Sequence, residues 1–316
     1  SWLGPPSSDQ WKAEEPTVDR ITEKSITIPA PPESRVRGTL TVLSGLNAGQ
    51  VFSLDGDEHV VGRGTEAEIW IDDAGLSRKH ARIVRRGEGG YRIEDLKSTN
   101  GTFIGARRVD ASDLEPGDRV QLGPNTILRF AITDDAEEAL QKRLYESSTR
   151  DALTRAFNRK YFNERLVAEV AHSKRHKVKL ALLMVDVDRF KRTNDTHGHL
   201  VGDMVLRMVA AQIQRLVRVD DLLARFGGEE FALLARSTGK REATALAERI
   251  RKSIEGMEVP TREGPIHVTV SLGVASLSDA GQGAGPTELL ELADKRLYRA
   301  KDAGRNRVCA EGDAEP

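Results

Sequence analysis

One cysteine, Cys309, stands in 316 residues, so no internal disulfide can form, and that usage fits a reducing compartment. No apolar run approaches the length of a membrane span, and no signal peptide is visible. Neither sign of charge dominates: 48 Lys and Arg stand against 49 Asp and Glu, for a formal net charge of −1. That balance offers no basic excess for nucleic acid and no acidic excess for a solvating tail. A soluble cytoplasmic chain is expected, with neither nucleic acid nor membrane as partner. At 316 residues the chain is long for one core, which favours two domains.

Residues 1–37 are rich in Pro, Ser, Thr and charge, without a sustained period, and read as a disordered arm. Thr17, Thr22, Ser25 and Thr27 stand near charged residues where a kinase could reach them. The three threonines are candidate phosphorylation sites, with Thr17 the first choice. From Gly38 the texture changes to short alternating runs, at 39–43, 50–54, 59–62, 81–84, 91–93 and 119–122, punctuated by Gly, Asn and Asp. Strands of that length and spacing imply an all-β sandwich. Three loop clusters stand out: Gly62-Arg63-Gly64, Leu76-Ser77-Arg78-Lys79-His80 and Lys97-Ser98-Thr99-Asn100-Gly101-Thr102. Each sets Arg, hydroxyl or amide donors at strand ends, the composition that holds a phosphate dianion.

In this order and spacing the clusters resemble a forkhead-associated (FHA) domain over about residues 39–131. The resemblance implies an eleven-stranded sandwich that binds phosphothreonine peptides in the loops at one end. Arg63 and Ser77 would hold the phosphate, Thr99 and Asn100 would fix phosphate and peptide backbone, and Arg78 would add a contact. Gly62, His80 and Gly101 would be architectural. The domain is assigned to 38–132, followed by a linker helix at 133–150 with acidic residues early, Lys142-Arg143 later and a short Leu140/Leu144 stripe.

The second half alternates strands and helices, the pattern of an α/β domain. Leu180-Ala181-Leu182-Leu183-Met184-Val185 reads as a strand buried on both faces. It delivers Asp186-Val187-Asp188-Arg189-Phe190-Lys191-Arg192-Thr193-Asn194-Asp195 to its end, where carboxylates suit a hard cation such as Mg²⁺. Helices are expected near 159–175, from about Gly202, over 240–255 and over 288–303, with a strand at 267–275. Arg225-Phe226-Gly227-Gly228-Glu229-Glu230-Phe231 reads as a polar hairpin. Its glycines can accept positive φ, and its two carboxylates are costly unless a cation or proton neutralises them. The basic run at 172–179 reads as a solvated helix end, and His197 and His199 as loop structure.

The stretches 186–195, 225–231 and 301–307, with Asp151-Ala152-Leu153-Thr154-Arg155-Ala156-Phe157-Asn158-Arg159 at the entry, resemble the GGDEF family of diguanylate cyclases over about 147–310. The hairpin carries the GGEEF variant, and Ala156 stands where the entry signature usually has Leu. The domain is assigned to 151–310, with 311–316 a disordered tail. The resemblance implies a palm-like βααββαβ core with a central, mostly antiparallel sheet and flanking helices. It implies condensation of two GTP into cyclic di-GMP by a homodimer that uses Mg²⁺ or Mn²⁺.

Carried over by position, Asp186 and Glu229 would bind the metal with the Val187 carbonyl, and Glu230 would be a second ligand or assist 3′-hydroxyl deprotonation. Asn194 and Asp203 would read guanine. Lys191, Lys301 and Arg305 would neutralise the triphosphate, lined by the Phe190 and Lys191 N–H groups, while Gly227 and Gly228 leave room for nucleotide. Arg218-Val219-Asp220-Asp221 fits an RxxD product-inhibition site for cyclic di-GMP, Arg218 and Asp221 clamping the ligand and Arg249 reaching it from the next helix. The competing expectation is a catalytically silent adaptor that binds phosphopeptide and senses GTP or cyclic di-GMP. The chain carries no separate hydrolase domain, which disfavours a phosphodiesterase.

Overall fold

The computed structural model describes residues 36–87, 89–281 and 283–311. The arm threonines Thr17, Thr22 and Thr27 and the tail beyond residue 311 lie outside the described residues. Val36 and Arg37, assigned to the arm on composition, instead pair with Asp134 and Thr133 at the start of the first strand.

Eleven strands form the first domain among the described residues: β1 (Val36–Val42), β2 (Val51–Ser53), β3 (Glu58–Gly62), β4 (Ile69–Trp70), β5 (Ala81–Arg86), β6 (Gly90–Asp95), β7 (Thr102–Ile104), β8 (Arg107–Val109), β9 (Ala111–Leu114), β10 (Arg119–Leu122) and β11 (Thr126–Asp134). They make two sheets, ordered β2-β1-β11-β10-β7-β8 and β4-β3-β5-β6-β9. Alternate residues face inward, so Leu40, Val42, Val61, Ile83, Ile93, Val120 and Leu128 meet in one core.

β11 runs directly into α1 (Asp135–Thr149), with Asp134 as N-cap accepting from the Glu137 N–H. One buried carboxylate docks this helix on the sandwich. Glu138 accepts from Arg37 Nε at 2.7 Å, Ser53 Oγ at 2.6 Å and Lys142 Nζ at 2.6 Å. The Leu140 and Leu144 stripe stays exposed.

The second domain holds β12 (Phe157–Asn158), α2 (Arg159–His176), β13 (Leu180–Val187), α3 (Phe190–His197), α4 (His199–Leu216), β14 (Leu222–Arg225), β15 (Glu230–Arg236), α5 (Lys240–Glu255), β16 (Glu258–Val259), β17 (Ile266–His267), β18 (Val270–Ser276), α6 (Pro286–Asp302) and β19 (Val308–Cys309). Its main sheet runs β12-β14-β15-β13-β18-β19, antiparallel except at the two outer pairs. Every residue of β13 is buried because helices cover both faces. Ala181, Leu183 and Val185 pack with α4 and α5, while Leu182 and Met184 pack with α2 and α6.

Three expectations shift. α4 begins at His199, directly after Gly198, so His197 and His199 end and start helices rather than occupying a loop. The strand expected at 267–275 is split into β17 and β18, because Thr269 turns aside: its carbonyl accepts from the Asp188 N–H and its hydroxyl donates to the Asp188 carboxylate. The glycines of the hairpin do not use positive φ. No helix among the described residues is long and apolar enough to cross a membrane.

Burial would raise the Glu138 pKa, but Arg37, Lys142 and Ser53 outweigh it and hold the group at about 2, below the usual 4.5. A depressed carboxyl contributes stability that is full above its unfolded pKa and lost as pH falls through the folded one. Glu138→Gln should therefore melt below the native chain at pH 7, with the gap narrowing as pH falls from 4.5 toward 2. Melting curves against pH check this, and a gap that stays constant contradicts it.

Candidate functional site

Three carboxylates lie around the end of β13, though among the described residues no three His, Cys, Asp or Glu side chains converge closely enough to hold a metal by themselves. Asp186 lies directly opposite Glu230 in the β13–β15 register, and the Val187 N–H donates to the Glu229 carbonyl at 3.2 Å, which holds Glu229 beside the strand end. Asp186 is 4% exposed. Burial first, then the neighbouring Glu229 and Glu230 charges, push its pKa up to about 6 against the pull of Lys301. The Lys301 Nζ sits 2.6 Å from Asp186 Oδ2, so the lysine expected at a triphosphate pairs with this carboxylate. A Cβ on Gly227 would lie 2.7 Å from Glu230 Oε2, whereas one on Gly228 would meet open space. Those glycines serve space and close approach, not a left-handed turn.

Beside the carboxylates, α3 begins at Phe190 and Lys191 without a side-chain cap and with no acidic residue in its first turn. Uncapped N–H groups at a helix start favour an anion. Lys191 itself is exposed. Further along α3, Asn194 holds its Oδ1 buried with no partner. A Cβ on Gly202 would stand 1.9 Å from that oxygen, so glycine at the α4 start is what admits the amide. Asp203 follows on the same turn, half-buried. A cleft of about 380 Å³ adjoins, lined by Arg189, Arg192 and Arg305 among others.

The Arg218–Asp221 turn lies on the other side of the domain, after α4. Asp221 accepts from the Arg218 N–H at 2.9 Å and from the Arg236 N–H at 3.2 Å. Arg249 of α5 donates to the Leu216 carbonyl at 2.6 Å, which brings it to the same corner with Arg218 exposed.

In the sandwich, the expected loop residues converge at one end. The Thr99 N–H donates to Ser77 Oγ at 3.0 Å, and Asn100 Nδ2 donates to the Gly75 carbonyl at 2.8 Å. Arg63 Nε donates to the Leu76 carbonyl at 2.7 Å, while Arg78 is exposed beside it. His80 is fully buried, and its Nδ1 accepts from the Ser77 N–H at 3.2 Å, so Nε2 carries the proton toward the Gly101 carbonyl at 3.1 Å. Burial lowers its pKa, and the neutral ring acts as a brace. Gly62 is needed for close approach, since a Cβ there would stand 2.1 Å from the Arg78 carbonyl oxygen.

The family described as "Diguanylate cyclase, GGDEF domain" matches residues 148–307, half of the chain. The chain belongs to the GGDEF family. Residues 59–123 match the FHA domain. The chain is 41% identical over 159 residues to the probable diguanylate cyclase DgcT of Escherichia coli, covering 50% of this chain and 35% of that one. It is 41% identical over 169 residues to diguanylate cyclase A of Treponema denticola, covering 52% and 45%. The matches thus span less than half the length of those relatives. Among solved structures, the GGDEF domain of DgcB from Caulobacter crescentus in complex with c-di-GMP superposes with a TM-score of 0.50 at 35% identity, over 52% of this chain and 94% of that one. The same protein's coiled coil and GGDEF domain gives 0.52 at 32% identity, over 56% and 92%.

Sequence reasoning missed three groups that shape the GGDEF domain. Asp188 accepts from Ser271 Oγ at 2.6 Å, Thr269 Oγ1 at 2.7 Å and the Asn306 N–H at 3.0 Å. It ties down Arg305 and Asn306, two consecutive non-glycine residues at φ 66° and 46°. Asp151 of the entry signature accepts from Thr154 and is bridged to Arg225, whose Nη2 donates to the Gly228 carbonyl at 2.7 Å. The signature thereby braces the hairpin turn. Third, Asp72 of the FHA domain bridges Arg165 and Arg236 of the GGDEF domain, and Glu169 does the same from the other side. The basic run at 172–179 is a solvated helix end as expected, every charged residue of it exposed, and its His172 and Arg175 also line a cleft against the FHA domain. A second carboxylate two residues after Asp186 was the available signal for Asp188; nothing in the sequence pairs Asp72 with residues so distant.

Asp188→Ala should leave three donors without their acceptor, at a cost of about 1–3 kcal/mol, and free the Arg305–Asn306 segment. Denaturant unfolding and hydrogen exchange at the Asn306 amide check this; unchanged protection at Asn306 contradicts the role.

Proposed function

We propose that this chain is a cytoplasmic diguanylate cyclase that condenses two GTP into cyclic di-GMP and two pyrophosphates. The observation that carries the reading is the buried Asp186 carboxylate, raised to about 6 and set against Glu229 and Glu230 beside two glycines that leave space. Relatives named diguanylate cyclases support it.

The residues fit a divalent cation. Asp186, Glu229 and the Val187 carbonyl are hard oxygen donors gathered at a strand end, and would hold Mg²⁺ or Mn²⁺. When bound, the ion supplies charge neutralisation at the triphosphate. The chain's own groups do the rest. Asn194, with its orphaned acceptor, and Asp203 bind the guanine edge. The α3 N–H groups, Lys191 and Arg305 hold phosphate oxygens, and Lys301 moves from Asp186 to the phosphates once that carboxylate's charge is otherwise matched.

The 3′-oxygen of one GTP forms a bond to the α-phosphorus of the other as the bond to the departing pyrophosphate breaks. Glu230 serves as a second metal ligand or receives the hydroxyl proton, and the exchange repeated closes the ring. Because one domain holds one GTP, two must face each other, so the working form is a homodimer.

Two controls complete the reading. Arg218, Asp221 and Arg249 bind cyclic di-GMP and restrain the enzyme. Arg63, Ser77, Arg78, Thr99 and Asn100 bind a phosphothreonine segment written by a Ser/Thr kinase, either on the chain's own arm at Thr17, Thr22 or Thr27 or on another protein.

Purified protein freed of bound product should convert GTP, but not ATP, to its cyclic dinucleotide with Mg²⁺. Asp186→Ala and Glu229→Ala should each lose about 10²-fold or more. A native chain that forms no cyclic di-GMP ends the enzyme reading and leaves the adaptor. Arg218→Ala should keep the initial rate yet lose inhibition by added product; unchanged inhibition removes that site. Since Asp186 is protonated below about 6 and must shed that proton to receive a cation, Mn²⁺ affinity should fall as pH drops through 6. A flat profile contradicts that role.

A further inference from the structure

A cleft of about 530 Å³ separates the FHA domain from helix α2 of the GGDEF domain. Its inner end is closed by ions: Asp72 and Glu169 each bridge Arg165 and Arg236. A buried hydrogen bond from Tyr161 of α2 to Asn47 of the sandwich, 3.0 Å long, fixes the helix further. The outer end is different. There Arg63 of the FHA loops faces His172 and Arg175, one turn apart on α2.

Among the described residues neither Arg63 nor Arg175 has an ion-pair partner: Asp72 and Glu169 are taken by Arg165 and Arg236, and Asp73 and Asp220 line the cleft without coming within ion-pair distance of either. Asp73 accepts from the Gly75 N–H at 2.8 Å and from Thr126 Oγ1 at 2.7 Å. Asp220 lines the cleft close to Glu169, beside the closed end. Arg63 spends one nitrogen on the Leu76 carbonyl, leaving both Nη groups for a ligand. Burial, then the charges of His176, Arg175 and Arg63, lower the His172 pKa, so this ring meets a ligand as a neutral hydrogen-bond donor. Arg63 and Arg175, on opposite walls of the cleft and neither paired with a carboxylate among the described residues, suit a multiply charged anion.

We propose that the phosphothreonine site is built from two domains: Arg63, the one residue shared by the FHA loop cluster and the cleft lining, takes the phosphate with Ser77 of the adjoining loop, and His172 and Arg175 of the GGDEF domain contact the phosphorylated segment where it runs into the cleft. The ligand class is a phosphothreonine dianion in an extended peptide. The inference rests on the FHA reading given above and deepens it, because the enzyme domain itself becomes part of the reader. A segment seated there bridges the reader and α2, the helix whose Glu169 also holds Arg236; the Arg236 N–H in turn donates to Asp221.

The test uses the full chain, with fluorescent arm peptides phosphorylated at Thr17, Thr22 or Thr27 and a degenerate phosphothreonine peptide library as probes. The native chain should bind phosphorylated and not unphosphorylated probe. Arg63→Ala should abolish binding. The double substitution His172→Ala with Arg175→Ala should weaken it about tenfold or more with an unchanged melting temperature, while Arg175→Lys alone should keep most of it. Should the double variant fail to fold, His172→Gln and Arg175→Gln singly serve the same purpose.

Loss with Arg63→Ala but full affinity in the α2 variants overturns the two-domain site and leaves the FHA reading standing. No phosphothreonine binding by the native chain overturns both. Binding of an arm peptide, abolished once the chain's own arm is phosphorylated, identifies the arm as the source; binding of library peptides alone identifies a separate protein, and either supports the site.

Discussion

A carboxylate with almost no access to water, placed opposite a second one, is the constraint on which the second domain turns. Asp186 sits at the end of a strand whose every residue is buried, in register with Glu230. Such a pair is unfavourable unless a cation or a proton compensates it. Here the compensation is shared between Lys301, 2.6 Å away, and a pKa raised to about 6. The neighbouring architecture follows from the same demand. α6 must end where Lys301 can reach β13, and the segment after it must turn back sharply. Arg305 and Asn306 accept left-handed backbone to do so, held by Asp188.

The joint between the domains obeys a related rule. Arg165 is 3% exposed, and a guanidinium so buried persists only where carboxylates surround it. It finds one from each domain, Asp72 and Glu169. The same holds at α1, where Glu138 of the helix meets Arg37 of β1. Buried ions contribute little net stability compared with apolar packing, but they fix register, because any displacement leaves a charge unpaired. Two such anchors hold the FHA sandwich against α1 and α2. The apolar Leu140 and Leu144 between them stay exposed.

Much of the fold was legible because its local signals are strong. The continuous apolar run ending in Asp186 has one economical explanation, a strand covered on both faces, and α2 and α5 lie almost where their periodicity puts them. The loop donors of the sandwich were readable as a set, since Arg63, Ser77, Thr99 and Asn100 mark strand ends that the fold brings together. What stayed hidden was of another kind. Gly202 gives no local hint that it makes room for Asn194, and Gly227 and Gly228 suggested a left-handed turn where the structure needs only absent side chains. The Asp72–Arg165–Glu169–Arg236 network joins residues far apart along the chain, so no spacing rule reveals it. For the same reason the sequence showed His172 and Arg175 as an exposed helix end, which they are, but not the cleft they line.

Everything proposed for the chemistry depends on the acidic strand end being a metal-dependent nucleotide site. Diffraction from the full chain crystallised with a nonhydrolysable GTP analogue and Mn²⁺, whose anomalous scattering marks the ion, addresses that point most directly. The expected result is an ion peak between Asp186 and Glu229, in contact with phosphate oxygens of an analogue whose base lies against Asn194. An analogue bound there with no ion peak beside Asp186, or bound elsewhere on the chain, would contradict it.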